Sequence, residues 1–210
     1  MIIDAHAHIY PEKIAEKATE AIGNFYSIPM DIKKGTPDFL IENGKKAGIT
    51  GFLVHSVATK KEQVRSINDF IFSETQKHKE FIAFMTLHED MTEEEIAEEI
   101  TLAVSRGFKG IKLHPDFQRF YVDGDNAKKI YRVIKEMNIK FPILFHTGDI
   151  RYGYSEPERL VNVSKEFPSL YFIGAHFGCY SCFEKAELYK DCENVFFDTS
   201  SSLADRKSVV

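Results

Sequence analysis

Seven short apolar segments recur along the chain, and helical patterns fill the intervals between them. Each segment is rich in Val, Ile, Leu or Phe and is short enough to be a strand buried on both faces, as in a parallel sheet. Successive strands after the first begin about 24 to 32 residues apart, which is the size of a strand–helix–strand unit. The predicted strands span residues 1–8, 50–57, 81–87, 109–114, 141–147, 170–176 and 194–199.

Helix start signals lie between these strands. Thr92 and Glu95 form a predicted capping box, Asp125 is a candidate cap, and Ser155 precedes Pro157 at a third start. The first crossover, residues 9–49, is longer than the others. We expect it to hold an extra helix or a lid-like loop around residues 25–37.

Alternation of strand and helix predicts a parallel sheet with helices packed outside it. An open doubly wound sheet would carry a Gly-rich phosphate-binding turn after one strand, and the chain has none. A (β/α) barrel has eight strands, of which seven can be counted here. The distribution of histidines, described below, favours the barrel. We expect this barrel to be a single domain over residues 1–210.

Composition excludes several functional classes. Hydrophobic residues make up 43% of the chain and the net charge is −5, without the basic face that a nucleic-acid-binding protein usually has. No apolar run approaches the ~20 residues of a membrane span, and the N-terminus does not resemble a signal peptide. Three cysteines do not make a disulfide framework. We therefore expect a cytoplasmic protein that binds neither nucleic acid nor membrane.

All of the eight histidines except His78 lie at or just after the end of a predicted strand. In a barrel, the carboxyl ends of the strands form the active-site face, so one fold would gather these imidazoles in one place. They are His6, His8, His55, His88, His114, His146 and His176.

His6 and His8 are two residues apart on the first strand, so their side chains point to the same face. Neutral imidazole is a good ligand for zinc and its neighbours, and two such rings on one buried face are costly without a partner. A third ligand must come from another strand, and His146 is the candidate. We interpret His55 and His88 more simply, as hydrogen-bonded core residues.

The motifs DAHAH at 4–8, GIKLHP at 110–115 and HTGD at 146–149 resemble the amidohydrolase superfamily, and within it the amidohydrolase-related branch. That branch contains aminocarboxymuconate-semialdehyde decarboxylase. The resemblance extends from residue 1 to about residue 203.

This resemblance implies a metal site in which His6, His8 and His146 are ligands and His176 is a further ligand or an acid/base. The family also uses an Asp at the end of strand eight. The chain has no such strand or Asp, so we expect it to be C-terminally truncated, with an open seam, a tendency to associate and low turnover. Asp198 is a possible replacement ligand, although a hydrogen-bonding role is the simpler interpretation.

Lys112 and His114 share one face of strand four, and Arg151 follows the histidine of strand five. We assign these three residues to substrate binding, where a cation and an imidazole suit an anionic group. Some family members place a carboxylated Lys at the end of strand four to bridge two metals. Lys112 lies two residues short of the strand end, which favours one divalent ion, Zn²⁺ by default with Mn²⁺ as the alternative.

The expected reaction is hydrolysis of a C–N or C–O bond in a small polar, anionic substrate by a metal-activated water. Two alternatives stay open. One is non-oxidative decarboxylation of an unsaturated or aromatic acid at the same site, and the other is a catalytically inactive barrel. The expected partner is a small-molecule substrate, and a homodimer is compatible with these features.

Overall fold

A computed structural model describes residues 1–30, 34–149 and 151–202 of the chain. Seven parallel strands form one curled sheet in chain order, so the described residues make a TIM-like barrel that is one strand short of eight. The seven predicted strands are confirmed. They are β1 (Ile3–His8), β2 (Gly51–His55), β3 (Phe81–Thr86), β4 (Gly110–Leu113), β5 (Ile143–Phe145), β6 (Phe172–Gly174) and β7 (Val195–Phe197).

Helices connect the strands, and the first crossover contains two of them, which confirms the extra helix expected there. Residues 31–33 of the expected lid segment lie outside the described residues. The α-helices are α1 (Glu12–Tyr26), α2 (Pro37–Lys46), α3 (Val64–Lys77), α4 (Glu93–Ser105), α5 (Pro115–Gln118), α6 (Asp125–Glu136) and α7 (Pro157–Glu166). None of the described helices is long and apolar enough to cross a membrane.

Only one of the three predicted helix caps is confirmed. Thr92 forms the capping box of α4, in which its side chain and that of Glu95 each accept a backbone N–H of the other. The prediction for Asp125 is wrong because Gly124 occupies the N-cap position of α6. The prediction for Ser155 is also wrong, since its hydroxyl donates instead to Asp116 Oδ2 at 2.7 Å.

The first and last strands of the sheet do not pair with each other among the described residues: β1 pairs with β2, and β7 pairs with β6. A side-chain contact joins them instead at the carboxyl ends, where His6 Nδ1 lies 2.8 Å from Asp198 Oδ2. The seam that we expected to be open is therefore bridged at the level of the histidines.

Gln118, the last residue of α5, holds three strand ends in place. Its side-chain amide donates to the carbonyls of Ala58 and Leu87, which follow β2 and β3, at 2.9 and 2.8 Å. Its Oε1 accepts the backbone N–H of His114, which follows β4, at 2.8 Å. All four residues are buried. One side chain thus satisfies three backbone groups and fixes the edge from which the site is built.

Replacing Gln118 by Met keeps the side-chain volume but removes the side-chain hydrogen bonds of three buried backbone groups, of which only the Leu87 carbonyl keeps another contact, at 3.5 Å from the Thr86 hydroxyl. Each such group costs about 1–3 kcal/mol, so we expect the free energy of unfolding to fall by about 3 kcal/mol or more. Urea denaturation measures this loss. The control is Gln76→Met, at an exposed glutamine of α3, which we expect to change little. Equal stability of the two variants would contradict the role given to Gln118.

Candidate metal centre

A cavity of about 570 Å³ opens at the carboxyl ends of the strands. Its floor consists of histidines from the strand ends, and its walls are mostly apolar or aromatic. No Lys, Arg, Asp or Glu is among the described residues that line it. The lining residues are His6, His8, Ile22, Gly23, Tyr26, Ile28, Met30, His114, Phe117, His146, His176, Tyr180, Ser200 and Ser201.

Asp198, just after β7, orients His6. Its carboxylate accepts hydrogen bonds from His6 Nδ1, from the backbone N–H of His176 at 3.1 Å and from that of Ser200 at 3.0 Å. Burial alone would raise the pKa of Asp198, but these hydrogen bonds outweigh burial and hold its pKa well below the usual range. An ionised Asp198 requires a proton on Nδ1 of His6, which leaves Nε2 with a free lone pair toward the cavity.

A second chain of hydrogen bonds sets the tautomers of His176 and His146. His176 Nδ1 lies 2.7 Å from the carbonyl oxygen of Ser200, which only accepts, so Nδ1 carries the proton. Its Nε2 is then an acceptor and lies 3.0 Å from Nδ1 of His146, which donates to it. The unprotonated nitrogen of His146 is therefore Nε2, which lies 3.4 Å from the Tyr26 hydroxyl. His176 has a left-handed backbone with φ of 60°, a strained conformation for a non-glycine residue.

Two ring contacts and two hydrogen bonds fix the position of the His114 side chain. It stacks on Phe117 and His146 with ring-centroid distances of 3.7 and 4.3 Å. Its Nδ1 accepts the backbone N–H of Phe117, so Nε2 bears the proton and donates to Tyr26 Oη at 2.9 Å. The Tyr26 hydroxyl also lies 3.4 Å from His146 Nε2, the unprotonated nitrogen of that ring, to which it donates its own proton.

Burial keeps these imidazoles neutral. It is the largest cause of the lowered pKa at His6, His8, His114 and His146, and it lowers the pKa of His176 to about 4. Neutral rings keep the lone pair that a metal ion requires. The lone pairs of His114 and His176 already accept hydrogen bonds from Phe117 and His146. The donors that fit a divalent cation are therefore His6, His8 and His146.

Two groups of side chains have ligand atoms within 4.8 Å of one another in the described part of the chain. The first is His6, His8 and His55, and the second is Asp116, His146 and Asp149. His146, the predicted third ligand, lines the same cavity as His6 and His8 but falls in the second group.

The sequence matches the family model described as Amidohydrolase over residues 3–208. The chain belongs to the amidohydrolase family. No curated protein sequence matches it.

Solved structures of similar fold include amidohydrolase-superfamily decarboxylases. An uncharacterised TIM-barrel protein from Bordetella bronchiseptica has a TM-score of 0.74 and 15% identity, covering 97% of this chain and 76% of that one. The 5-carboxyvanillate decarboxylase of Novosphingobium aromaticivorans, complexed with manganese and 4-hydroxy-3-methoxy-5-nitrobenzoic acid, has a TM-score of 0.67 and 17% identity, with coverages of 90% and 69%. The 2,6-dihydroxybenzoate decarboxylase from Rhizobium has a TM-score of 0.64 and 13% identity, with coverages of 99% and 82%. At these identities the likeness concerns the fold.

The three residues predicted to bind substrate lie in different environments in this amidohydrolase. His114 lines the cavity. Lys112 is fully buried outside the cavity lining, and its Nζ has no hydrogen-bond partner. Arg151 forms an ion pair with Asp149, and its guanidinium lies over the ring of Phe25 at 4.5 Å. The structure thus brings one of the three to the cavity surface.

Three residues of this site were missed or underrated from the sequence. Tyr26, at the end of α1, contacts His114 from a segment with no strand-end signal. His55 was interpreted as hydrogen-bonded, and this is wrong because neither of its ring nitrogens has a partner. Asp198 has the hydrogen-bonding role that was the simpler interpretation, but its contact with His6 could not be predicted.

Lys112 makes the stability of this amidohydrolase depend on pH. Burial lowers the pKa of Lys112 to about 7, whereas an unfolded lysine has a pKa of about 10.4. Between these values the unfolded chain binds more protons, so the free energy of unfolding rises with pH. Below pH 7 Lys112 is protonated in both states and the cost of its burial is fully present.

The variant Lys112→Met removes this cost. With a chelator present, we expect it to be more stable than the unsubstituted chain by up to about 5 kcal/mol at pH 6.5, and the gain to shrink toward pH 10. Urea denaturation across this range measures the difference. Lys109→Met, at an exposed lysine on the same segment, is the control. Parallel profiles for the unsubstituted chain and Lys112→Met would contradict a deprotonated, buried Lys112.

Proposed function

We propose that this amidohydrolase is a metal-dependent, non-oxidative decarboxylase of a small aromatic acid, acting as a single domain. The observation that carries the proposal is the division of the cavity into a histidine floor and apolar walls. Tyr26, Phe117 and Tyr180 offer ring faces to a planar substrate, and Ile28 and Met30 add apolar surface. The decarboxylases of similar fold act on aromatic acids, which supports this choice over hydrolysis.

The charge balance of the cavity agrees with a metal-bound carboxylate. No cationic side chain is among its described lining residues, so a substrate anion needs a positive charge from elsewhere. A divalent ion held by His6 and His8, with His146 as the predicted third ligand, would supply that charge and stabilise negative charge as it develops. We propose Zn²⁺ or Mn²⁺ for this role, since imidazole ligands alone do not select between them.

The protein side chains then orient the acid. In the reaction the bond between the ring carbon and the carboxylate breaks, CO₂ leaves with its bonding electrons left on the ring carbon, and that carbon takes up a proton that comes from solvent water. Tyr26 accepts from His114 and lies 3.4 Å from His146 Nε2, so its proton would turn to a ring substituent once the proposed metal ion takes that lone pair of His146. Burial raises the pKa of Tyr26 well above the usual range, so the hydroxyl stays protonated. His176, neutral with a pKa of about 4, does not act as an imidazolium acid at neutral pH.

The direct test is CO₂ release. We expect the chain loaded with Mn²⁺ or Zn²⁺ to convert a carboxyl-labelled hydroxybenzoate, such as 2,6-dihydroxybenzoate or 5-carboxyvanillate, to labelled CO₂ and the corresponding phenol. The variant with His6→Ala and His8→Ala should lack stoichiometric metal and release no CO₂ while staying folded, as judged by circular dichroism. His78→Ala, at the helix-end histidine, is the control.

Other results would replace this proposal. Cleavage of ester or amide substrates without CO₂ release would restore the hydrolase interpretation. Metal content that is unchanged in the double variant would refute the role of His6 and His8. A metal-free protein with neither activity would favour the inactive barrel.

Tyr26→Phe separates binding from the chemical step. Because it removes one hydrogen bond to the substrate and leaves the ring in place, we expect KM to rise about 10-fold with a smaller change in kcat. Binding of the nitrophenol 4-hydroxy-3-methoxy-5-nitrobenzoic acid, followed by its absorbance, gives the same comparison without turnover. Tyr152→Phe is the control, since Tyr152 is outside the cavity lining. Unchanged KM and binding in Tyr26→Phe would exclude the contact.

A further inference from the structure

His55 lies next to the two histidines of β1. It ends β2, and the register of the two parallel strands pairs it directly with His8. Its ring centroid is 4.3 Å from that of His8 and 4.7 Å from that of His6. Each of the three residues offers a ring nitrogen, and these nitrogens lie within 4.8 Å of one another. Strand register therefore places a third imidazole beside the predicted metal-binding pair.

The side chain of His55 has no hydrogen-bond partner. The residue is 0% exposed, and neither Nδ1 nor Nε2 has a hydrogen bond. Burying a polar ring without a hydrogen bond costs free energy, and buried side-chain polar atoms are almost always paired. His88, the equivalent histidine after β3, is also buried and its Nε2 also has no partner, but its Nδ1 accepts the backbone N–H of Asp90, whereas both nitrogens of His55 are unpaired. His55 is thus exceptional even among the buried histidines at the strand ends.

An imidazole that has no hydrogen bond and lies beside two others is satisfied by a shared cation, which accepts one lone pair from each of the three rings.

We propose that His55 is a metal ligand, together with His6 and His8. The proposal rests on the proposed function only in that a divalent cation binds His6 and His8. His55 binds the ion from the β2 side and adds to His6, His8 and the predicted ligand His146 just after β5. A five- or six-coordinate ion held by these imidazoles still has positions open for a substrate.

The test measures Co²⁺ affinity, which does not depend on knowing the substrate. We expect His55→Gln to bind Co²⁺ at least about 100-fold more weakly than the unsubstituted chain, beyond the roughly 10- to 100-fold effect of residues that only orient a ligand. His88→Gln is the matched control and should bind within about 3-fold of the unsubstituted chain. Thermal unfolding of the metal-free variants shows that each is folded.

The variant His55→Cys tests the same ligand position if His55→Gln does not fold. The thiolate of His55→Cys is itself a ligand, so its Co²⁺ complex should show an intense near-ultraviolet thiolate-to-cobalt charge-transfer band that the unsubstituted complex lacks. The proposal is overturned if His55→Gln loses less than about 100-fold in affinity, or if His55→Cys binds Co²⁺ without the band. Failure of the unsubstituted chain to bind Co²⁺ would instead refute the proposed function.

Discussion

The hydrogen bond between His6 and Asp198 determines much of the rest of this structure. It joins residues that are 192 positions apart, at the ends of the first and last strands, where no backbone pairing connects β1 and β7 in the described residues. It also fixes the tautomer of His6, so that Nε2 keeps the lone pair that would bind the proposed metal ion. The same carboxylate accepts the backbone N–H of His176 and so positions the next histidine. One ionised side chain therefore bridges the seam at the level of the histidines and positions His6 and His176.

The buried basic groups of the site are consistent with the proposed metal ion. Burial lowers the pKa of Lys112, His6 and His176, and the charge of Asp198 offsets this only in part. The protein tolerates this arrangement because burial holds these bases in their neutral forms. The nitrogen lone pairs of neighbouring neutral imidazoles do not stabilise one another, whereas a bound cation would stabilise them. Strand-end histidines that are costly for the fold alone thus become favourable when a metal ion binds, which couples stability to occupancy.

Sequence reasoning succeeded where the signal is local. The strands follow from short apolar runs, and the shared face of His6 and His8 follows from the two-residue period of a strand. The partners of those histidines depend on tertiary pairing, so the contact with Asp198 had no local signal. His55 was visible as a strand-end histidine, but its lack of a hydrogen bond appears only in three dimensions. For Arg151 the sequence did contain a local signal of its role, because Asp149 is only two residues away and forms an ion pair with it.

The floor and the walls of the cavity come from different parts of the chain, so a substitution in the walls can leave the floor in place. Strand ends supply the floor, whereas α1 and the residues after it supply much of the wall. Arg151 holds that wall in place. Its guanidinium donates to the carbonyl of Phe25 and packs on the ring of Tyr26. Asp149 accepts a hydrogen bond from the same guanidinium. Exchange of apolar wall residues would alter the shape of the cavity without moving the floor. Tyr26 is the exception, because its hydroxyl binds His114, so a change there reaches the floor through a direct hydrogen bond.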